Sequence, residues 1–475
     1  MDKKKNLAEK WTEGYLVLLF GLFPLLLHNG WFDVMETKFA AYLFLTALWL
    51  LGLFWFAALG RGLAGAAFAP AAVCCLLFCL VGILASLLGG HGRSALLAAD
   101  NRYQGILALL LYAAMAAALS HCRPGRPAVG ALLAGFAVNG LLGVLNFCGV
   151  DPFGLMAQLT AFDRGRFLGG IGNINFFAAY MTLLTPVAAV LFCRAEKTGP
   201  RLGLGLLSVL GLWGAMASRS ESAVLGLGAA ALLLPLFVPG ESRRILWLPP
   251  AALLAMQLFA LFTARSFSAL TELLLLPAVS AALLALWLGG YALGWKSRRA
   301  YALLLGTALG LLGLLVLLAN TCVDASRLGR LGDWLVLDAD FGSDRGAIWR
   351  SCFALYGEFP WWQKLLGAGS GVLARWDVLH RIFPDAVEDT AHTEYIHYLL
   401  THGLLGLGAY VCWLFLALRG ALRSPSPLYA ALGLGAAAYA VQAGVNIAQS
   451  ATTPLFFAIL ALLSGAGALD SKNGL

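Results

Sequence analysis

Runs of about 20 apolar residues follow one another along most of this chain, with short polar segments between them. A helix of that length crosses the ~30 Å hydrocarbon core of a bilayer, and it pairs the backbone groups that lipid cannot. The pattern predicts an all-α, polytopic integral membrane protein, with kinks at Pro24, Pro186 and Pro277. About 14 transmembrane helices are expected, at residues 14–34, 38–59, 68–90, 104–120, 127–147, 174–194, 202–217, 222–239, 244–262, 270–294, 300–320, 395–418, 427–446 and 452–469.

One long polar segment, residues 321–394, interrupts this pattern. It holds 11 of the 24 acidic residues, together with arginines, aromatic residues and two of the seven histidines. The chain therefore divides into residues 1–320 with helices 1 to 11, a large extracytoplasmic loop at 321–394, and residues 395–475 with helices 12 to 14. Within the loop, an apolar stripe from Ile348 to Leu355 predicts a short amphipathic helix on the outer face of the bundle.

The basic residues are distributed unequally between the two predicted sides of the membrane. With the N-terminus in the cytoplasm, the inner segments hold 18 of the 32 lysines and arginines, whereas the outer short loops hold seven and the long loop seven. Cytoplasmic segments favour Lys and Arg, so both termini are predicted to lie in the cytoplasm and the protein in the cytoplasmic (inner) membrane. The net charge of +8 follows from this topology, and no basic cluster interleaved with aromatic residues indicates a nucleic-acid partner.

The cysteine and histidine spacings predict neither a metal site nor a cofactor. The nine cysteines include no Cys-x-x-Cys pair. His392, His397 and His402 are spaced by five residues, which separates them by ~140° around a helix, so they do not share a face. Cys322 and Cys352 both lie in the long loop and could form a disulfide if that side of the membrane is oxidising.

Arginine is less frequent in outer segments than in cytoplasmic ones, so the arginines found there are candidates for specific roles. Two of them are candidates for anion binding. Arg219 occupies the turn between two apolar runs in AMASRSESAVLGL, and its guanidinium fork suits a multidentate oxyanion such as a diphosphate. The alternative is an interfacial arginine that reaches toward water or pairs with Glu221. Arg345 lies in GSDRGAIWRSCFALY, on one helix face with Trp349, and the alternative there is an ordinary solvated arginine.

Two glycine-rich segments lie on the same side. Arg164 and Arg166 are found in DRGRFLGGIGNINFFAAY, ahead of a glycine cluster at 169–172. Glycine there would let the backbone approach a ligand closely or re-enter the membrane. The second segment, GAGSG at 367–371, has no strand before it, so it predicts a turn and not a nucleotide site.

His392 opens the segment AHTEYIHYLLTHGLLGL, at the end of the long loop. A neutral histidine at the aqueous mouth of the bundle can take a proton from a hydroxyl group, with Glu394 or another loop acid orienting it. The alternative is a capping or structural histidine. His397 and His402 are expected to take part in helix packing.

Taken in order, these segments resemble the successive motifs of the bacterial O-antigen ligase and O-antigen polymerase family. The matching segments are GRFLGGIGNINFFAAY, SRSESAVLGL, DRGAIWR with LLGAGSG, and AHTEYIHYLLTHGLLGL. NRYQGIL at 101–107 and VQAGVNIAQSATTPLFFAILALLSG near the end look similar to segments of some members. The resemblance covers roughly residues 95–465 and implies a helical membrane fold related to the GT-C glycosyltransferases.

Members of that family transfer a glycan from undecaprenyl diphosphate to a hydroxyl group outside the cytoplasmic membrane, without a metal. The resemblance therefore implies an inverting glycosyltransferase whose partners are a lipid-linked glycan donor, a glycan, lipid or protein acceptor, and membrane lipids. It matches the family's diphosphate-binding arginines to Arg219 and Arg345 and its essential histidine to His392. Arg102 or Arg166 could also bind the diphosphate.

Two alternatives remain open. A polysaccharide polymerase uses the same chemistry but joins one carrier-linked glycan to another, and the 14 predicted spans exceed the number often described for ligases. An exporter of lipid-linked oligosaccharides is disfavoured, because scarcely any ionisable residue lies in mid-span and no internal repeat is evident. Thr393 follows His392 where the family commonly has Asn, which predicts different local hydrogen bonding.

Overall fold

The computed structural model describes residues 6–63, 68–98, 102–161, 163–238, 244–294, 297–323, 328, 332–339, 341–374 and 390–466. These residues are almost entirely helical, apart from one short β-hairpin. The predicted fold class, an all-α polytopic membrane protein, is therefore confirmed.

The helices follow the apolar runs of the sequence. They are α1 (Leu7–Val17), α2 (Val34–Ala58), α3 (Pro70–Gly89), α4 (Arg93–Leu97), α5 (Ile106–Leu119), α6 (Arg126–Phe147), α7 (Ile174–Arg194), α8 (Thr198–Ala217), α9 (Glu221–Phe237), α10 (Arg244–Thr263), α11 (Ala269–Leu275), α12 (Pro277–Gly294), α13 (Arg298–Thr321), α14 (Gly332–Leu335), α15 (Phe341–Glu358), α16 (Trp361–Leu366), α17 (Glu394–Arg423), α18 (Pro427–Gln442) and α19 (Thr453–Ser464). Strands β1 (Phe167–Leu168) and β2 (Gly172–Asn173) pair in antiparallel fashion between α6 and α7.

Nine helices in the described ranges are long and apolar enough to cross a membrane: α2, α3, α6, α7, α8, α10, α13, α17, and α18 together with the 3₁₀ turn that extends it to Val445. Helices α11 and α12 would count as a tenth span if joined, but they are bent by 76° at Pro277, one of the predicted kinks. Three further apolar helices, α5, α9 and α19, have only 14, 17 and 12 residues. The structure thus supports a multi-pass protein, with fewer full-length spans than the 14 predicted from apolar runs.

The first apolar run is not one continuous helix. After α1 it changes to a π-helix at Leu18–Leu22 and a 3₁₀-helix at Phe23–Leu25. Pro24 causes part of this break, because it has no N–H to donate. Lys38 and Asn139 donate hydrogen bonds to carbonyls of this irregular stretch. Lys38 Nζ lies 2.9 Å from the Phe23 oxygen, and Asn139 Nδ2 lies 3.4 Å from the Pro24 oxygen. Lys38 is completely buried, so this charge lies inside the bundle.

The β1–β2 hairpin carries the predicted glycine cluster and inserts between α6 and the broken first run. The Gly170 N–H donates to Asn139 Oδ1 at 2.9 Å, and the Gly169 N–H donates to Asn146 Oδ1 at 3.0 Å. A Cβ at Gly170 would lie only 2.7 Å from the Pro24 oxygen. Glycine is therefore required for close packing against the protein itself, and the hairpin holds the chain leading into α7 in place.

We expect the Gly170→Ala variant to unfold several degrees below the wild-type protein, because its new methyl group would displace Pro24 or Asn139. Gly130→Ala is the matched control: a Cβ there meets nothing within 4 Å, and alanine is the better helix former. Thermal unfolding of both purified variants in the same detergent tests this. Equal midpoints for the two variants would show that the hairpin is not tightly seated.

Helix α17 is interrupted at Gly403, which has φ +64°. The glycine segment at 367–371 packs into this interruption: the Ala368 N–H donates to the Leu400 oxygen at 2.8 Å, and the Gly369 N–H donates to the Thr401 oxygen at 3.1 Å. The sequence predicts only a turn there. The glycines do have positive φ, but they also bring two backbones into direct contact inside the bundle.

Candidate functional site

The starts of α7 and α9 and the end of α18 meet in a buried chain of hydrogen bonds, which we name the polar seam (Asn175, Ser220, Ser222, Gln442 and Asn446). Ser220 Oγ donates to Asn175 Oδ1 at 2.8 Å and lies 2.8 Å from Ser222 Oγ. Gln442 Nε2 donates to Ser222 Oγ at 3.0 Å, and Asn446 Nδ2 donates to the Asn175 oxygen at 3.0 Å. Three segments far apart in sequence are thereby fixed at one end of the bundle.

Arg219 lies in the turn just before α9, beside the polar seam. Its backbone is left-handed, with φ +53°, and its side chain is exposed. The guanidinium carbon lies 5.1 Å from the centre of the Phe147 ring, a cation–π contact. The Arg219 side chain therefore extends toward α6. It does not form the pair with Glu221 that the sequence offered as an alternative.

Arg219 lines a cavity of about 490 Å³ together with two other arginines, Arg164 and Arg265. We name it the arginine cavity; Phe147, Asp151 and Met156 also line it. Arg265 follows Ala264, whose φ is +48°, and its guanidinium carbon lies 5.5 Å from the centre of the Phe147 ring. Sequence reasoning did not select Arg265, although it is one of the few basic residues on the predicted outer side.

The two arginines predicted to assist, Arg166 and Arg102, are not among the described residues that line this cavity. Arg166 is exposed, and its backbone oxygen accepts the Ile174 N–H at 3.0 Å, which fixes the hairpin to the start of α7. The guanidinium carbon of Arg102 lies 5.9 Å from the centre of the Phe176 ring, in the first turn of α7. Of the pair in the hairpin segment, Arg164 is therefore the one that lines the cavity.

Arg345, in helix α15, lies near Glu221, the first residue of α9. Its guanidinium is partly buried and donates a hydrogen bond to the Gly342 oxygen. Burial lowers the pKa of Arg345, and the nearby Glu221 carboxylate partly offsets this effect. Glu221 therefore acts electrostatically on Arg345.

Helix α15 packs against the segment that carries His392. Its apolar stripe is buried as predicted, and Ile348, Cys352 and Leu355 form one cluster with Ala391, the residue before His392. Burial also raises the pKa of the Cys352 thiol to about 12. Cys322 is exposed and Cys352 is buried, and both are free thiols, so the disulfide considered from the sequence is not formed.

His392 is partly exposed and has a left-handed backbone, with φ +50°. Helix α17 begins two residues later, and Thr393 occupies its N-cap position, so His392 is not the capping residue. His402, one of the two histidines expected in helix packing, is buried, and its ring is stacked on Phe78 at 4.5 Å. His392 is therefore accessible to solvent, whereas His402 is not.

Glu394 is buried in the first turn of α17 and is 1% exposed. Tyr410 donates to its Oε2 at 3.1 Å, and Tyr439 donates to its Oε1 at 2.9 Å. The neighbouring Tyr395 donates to the Ala440 oxygen at 2.7 Å. These bonds attach the start of α17, and with it His392, to α18. The sequence predicts Glu394 as an orienting acid near water and gives no sign of this tyrosine cage.

The Tyr439→Phe variant is expected to lower the free energy of unfolding by about 1–3 kcal/mol, because it leaves one buried carboxylate oxygen of Glu394 without its donor. Val441→Ala, at an exposed position on the same helix, serves as the control. Thermal unfolding of the two variants in detergent provides the comparison. If Tyr439→Phe unfolds no earlier than the control, the tyrosine cage contributes nothing to the position of α17.

Two buried charges bear on one argument made from the sequence. Scarcely any ionisable group was expected in mid-span, and Lys38 and Glu394, although enclosed within the bundle, lie near the starts of α2 and α17. Each has protein partners: the Phe23 carbonyl for Lys38 and two tyrosine hydroxyls for Glu394. These enclosed charges keep a transport function open as an alternative.

Left-handed backbone is concentrated near the candidate residues. The non-glycine residues with positive φ in the described ranges are Ala98, Tyr103, Arg219, Ala264 and His392. Tyr103 follows Arg102, and Ala264 precedes Arg265, so four of these five are candidates or their neighbours. Such conformations cost of order 1–3 kcal/mol each and are found preferentially at functional sites.

The part of the chain that the structure describes contains no group of three or more His, Cys, Asp and Glu side chains able to share a metal ion. A scan of the sequence against models of known protein families found no match, and a search among curated proteins found none either. The family resemblance therefore depends on the quoted motif segments, and three of these contribute residues to the polar seam.

Proposed function

We propose that this protein is a metal-independent, inverting glycosyltransferase of the O-antigen ligase type. It would transfer a glycan from undecaprenyl diphosphate to an acceptor hydroxyl on a glycan, a lipid or a protein. The proposal includes 14 spans, both termini in the cytoplasm, and a site at the outer face of the cytoplasmic (inner) membrane. The observation that supports it most is the polar seam, which brings the motif segments together beside Arg219 and close to the start of α17.

In this proposal His392 is the general base. Its imidazole accepts the proton of the acceptor hydroxyl, and the acceptor oxygen then attacks the anomeric carbon of the donor glycan. The bond between that carbon and the diphosphate oxygen breaks, and the electron pair remains on the diphosphate. Attack from the opposite face inverts the anomeric centre. General-base assistance of this kind is typically worth about 10²–10⁴-fold in rate.

Arg219 and Arg345 would stabilise the charge that grows on the leaving diphosphate. Arg219 lies in the turn just before α9, and Arg345 lies near Glu221, the first residue of α9. Such stabilisation in a site that partly excludes water is often the largest contribution to catalysis. Partial burial of Arg345 favours this role, because a less solvated guanidinium interacts more strongly with an anion. Arg102 and Arg166, near the start of α7, would assist in binding the diphosphate.

The direct test is glycan transfer by the purified full-length chain in nanodiscs. Undecaprenyl-diphosphate glycan is supplied alone or with a lipid acceptor, and the products are identified by mass spectrometry. Glycan on the new acceptor indicates a ligase, whereas a longer carrier-bound glycan indicates the polymerase alternative. A protein that carries out neither reaction with any acceptor offered is not a glycosyltransferase.

The exporter alternative is favoured by one observation, the enclosure of Lys38 and Glu394 within the bundle. Internal charges of this kind frequently belong to transport pathways. Reconstitution in liposomes distinguishes the two functions: an exporter moves a fluorescent lipid-linked oligosaccharide between the leaflets without altering it, whereas a transferase releases undecaprenyl diphosphate.

A further inference from the structure

A cavity of about 350 Å³ lies where α7, α8, α9 and α10 meet, and we name it the apolar cavity. Among its lining residues, Thr185 and Ser208 carry hydroxyl groups, and both hydroxyls donate to carbonyls of their own helices, at 2.7 Å and 2.8 Å. The described lining therefore offers a ligand no free polar side chain. The other lining residues are apolar and include Ala189, Phe192, Gly205, Ala230, Leu248 and Ala252.

The small residues of this lining leave space that protein side chains do not fill. From Phe176 to Val190, Ala189 is the one residue of α7 that is not buried, and it lines the apolar cavity. The volume falls in the size range of ligand sites. Water does not settle in apolar space of this kind, whereas apolar molecules do. The apolar cavity is therefore suited to a hydrocarbon chain.

The apolar cavity lies toward the opposite end of α7 from the polar seam. Asn175 of the polar seam is in the first turn of α7, whereas the lining residues of α7 run from Thr185 to Phe192. With a rise of 1.5 Å per residue, they lie roughly 15–25 Å further along the helix. The apolar cavity is therefore separate from the candidate site for glycan transfer.

Basic residues lie at this same end of the helices, which the charge distribution predicts to face the cytoplasm. We name them the basic rim (Arg194, Lys197, Arg201 and Arg244). Arg201 lies one turn before Gly205 in α8, and Arg244 lies one turn before Leu248 in α10. Each therefore shares a helix face with a residue that lines the apolar cavity.

Arg244 holds the basic rim together. Its Nη1 donates to the Cys193 oxygen at 3.1 Å and to the Ala195 oxygen at 2.7 Å. These bonds fasten the start of α10 to the end of α7. Because α8 follows α7 after a short turn, the ends of three helices are kept in one place.

The rest of the basic rim is available to an anion. Within the described ranges, none of Arg194, Lys197 and Arg201 forms a salt bridge with a carboxylate. Glu196 is the neighbouring acid in the sequence and offsets one of the four positive charges. Lys197 is the N-cap of the 20-residue helix α8 but makes no side-chain capping hydrogen bond, so it leaves the N–H groups of the first turn to another acceptor.

We infer that the apolar cavity and the basic rim together bind one anionic phospholipid of the adjacent leaflet. Its acyl chain occupies the apolar cavity, and its phosphate group lies against Lys197 and Arg201. An apolar lining accepts hydrocarbon, and the excess positive charge beside it is complementary to an anionic head group. Basic pockets between transmembrane helices on the cytoplasmic side are typical sites for such head groups.

This inference does not depend on the proposed function, because the phospholipid is a constituent of the membrane and takes part in no reaction. The competing occupant of the apolar cavity is the isoprenoid chain of a carrier lipid. A carrier whose diphosphate is bound beside the polar seam has its charge at the other end of α7. Its affinity should therefore not depend on the basic rim, whereas that of an anionic phospholipid should.

The test measures lipid retention by the full-length chain in detergent, with phosphatidylglycerol and phosphatidylcholine of the same acyl chains as probes and mass spectrometry of the intact complexes. We expect the wild-type protein to prefer phosphatidylglycerol about tenfold. The double variant Lys197→Gln/Arg201→Gln should lose this preference, because each cation near an anionic head group contributes roughly fivefold to affinity. Arg61→Gln is the matched control, since Arg61 is exposed on the same predicted side but follows α2, outside the described lining.

Filling the apolar cavity tests the position of the acyl chain. Ala189→Leu should lower the retention of both lipids about tenfold, because the larger side chain occupies the space of the chain. Ala252→Leu fills the same cavity from α10 and replaces Ala189→Leu if that variant does not fold. Ala308→Leu, at an exposed position of α13 outside the described lining, is the control and should retain both lipids as the wild type does.

Loss of the preference in the double variant, together with loss of retention in the filled variants, supports the inference. Equal retention of the two phospholipids by the wild type overturns it, and so does unchanged retention in the rim and cavity variants. Retention of added undecaprenyl diphosphate in place of phosphatidylglycerol also overturns it and assigns the apolar cavity to the carrier lipid. None of these readings depends on whether the protein transfers a glycan.

Discussion

Replacing His392 by asparagine is expected to slow glycan transfer by about 10²–10⁴-fold, because the variant has no group that can accept the proton of the acceptor hydroxyl. Asparagine is chosen because it tolerates the left-handed backbone found at this position better than most other non-glycine residues do. His392→Ala should lose the same activity, with some additional loss of stability. Initial rates with purified protein and undecaprenyl-diphosphate glycan provide the measurement.

As a control, the His392→Asn and His392→Ala proteins must be shown to fold as the wild type does. Both variants should insert in the membrane, elute as the wild type does, and bind undecaprenyl diphosphate with unchanged affinity, since the expected contacts of the diphosphate are with arginines. If His392→Asn turns over at the wild-type rate, the histidine is not part of the mechanism, and the general base must be sought elsewhere.

Substitution of Arg219 should separate activity from stability. Arg219→Lys retains the charge but loses the planar fork, and we expect a loss of about 10²-fold in turnover, as for other donors that stabilise a developing anion. Arg219→Gly should lose at least as much activity. It should nevertheless unfold at a higher temperature than Arg219→Lys, because glycine adopts φ +53° without strain.

Activity and thermal unfolding must therefore be measured on the same preparations of both Arg219 variants. Arg350→Lys, on the exposed face of α15, gives the baseline for an arginine away from the cavity. If Arg219→Lys turns over at the wild-type rate, the guanidinium of Arg219 has no catalytic role, and the residue is an interfacial arginine that packs on Phe147.

The long helices were predictable because a membrane span needs a length and an apolar composition that local sequence shows directly. The runs at 127–147 and 174–194 agree with α6 (Arg126–Phe147) and α7 (Ile174–Arg194) almost to the residue. Breaks at Pro24 and Pro277 were also expected, since proline lacks an N–H. Apolar runs do not show where a helix breaks or how short it is, so the structure leaves the predicted count of 14 spans unconfirmed.

The candidate site was less predictable, because its contacts join residues far apart in the chain. A lone Arg265 after a left-handed Ala264 has no distinguishing sequence pattern, yet it lies over the same ring as Arg219. Likewise, nothing local indicates that Glu221 acts on Arg345, which lies far from it in the sequence. Sequence motifs predict which segments matter for function, and the fold determines which side chains meet.

The buried Lys38 has a consequence for how the protein is made. A lysine at the centre of an isolated transmembrane helix costs roughly 2.5–3.5 kcal/mol, and less toward the helix end, where Lys38 lies. Its acceptor, the carbonyl of Phe23, belongs to the preceding interrupted run and also accepts the Leu26 N–H at 3.2 Å. The interrupted first run and α2 are therefore joined by a buried hydrogen bond. We expect the translocon to release these two segments into lipid together, as one helical hairpin. In a ribosome-bound chain that lacks the first run, α2 should insert poorly.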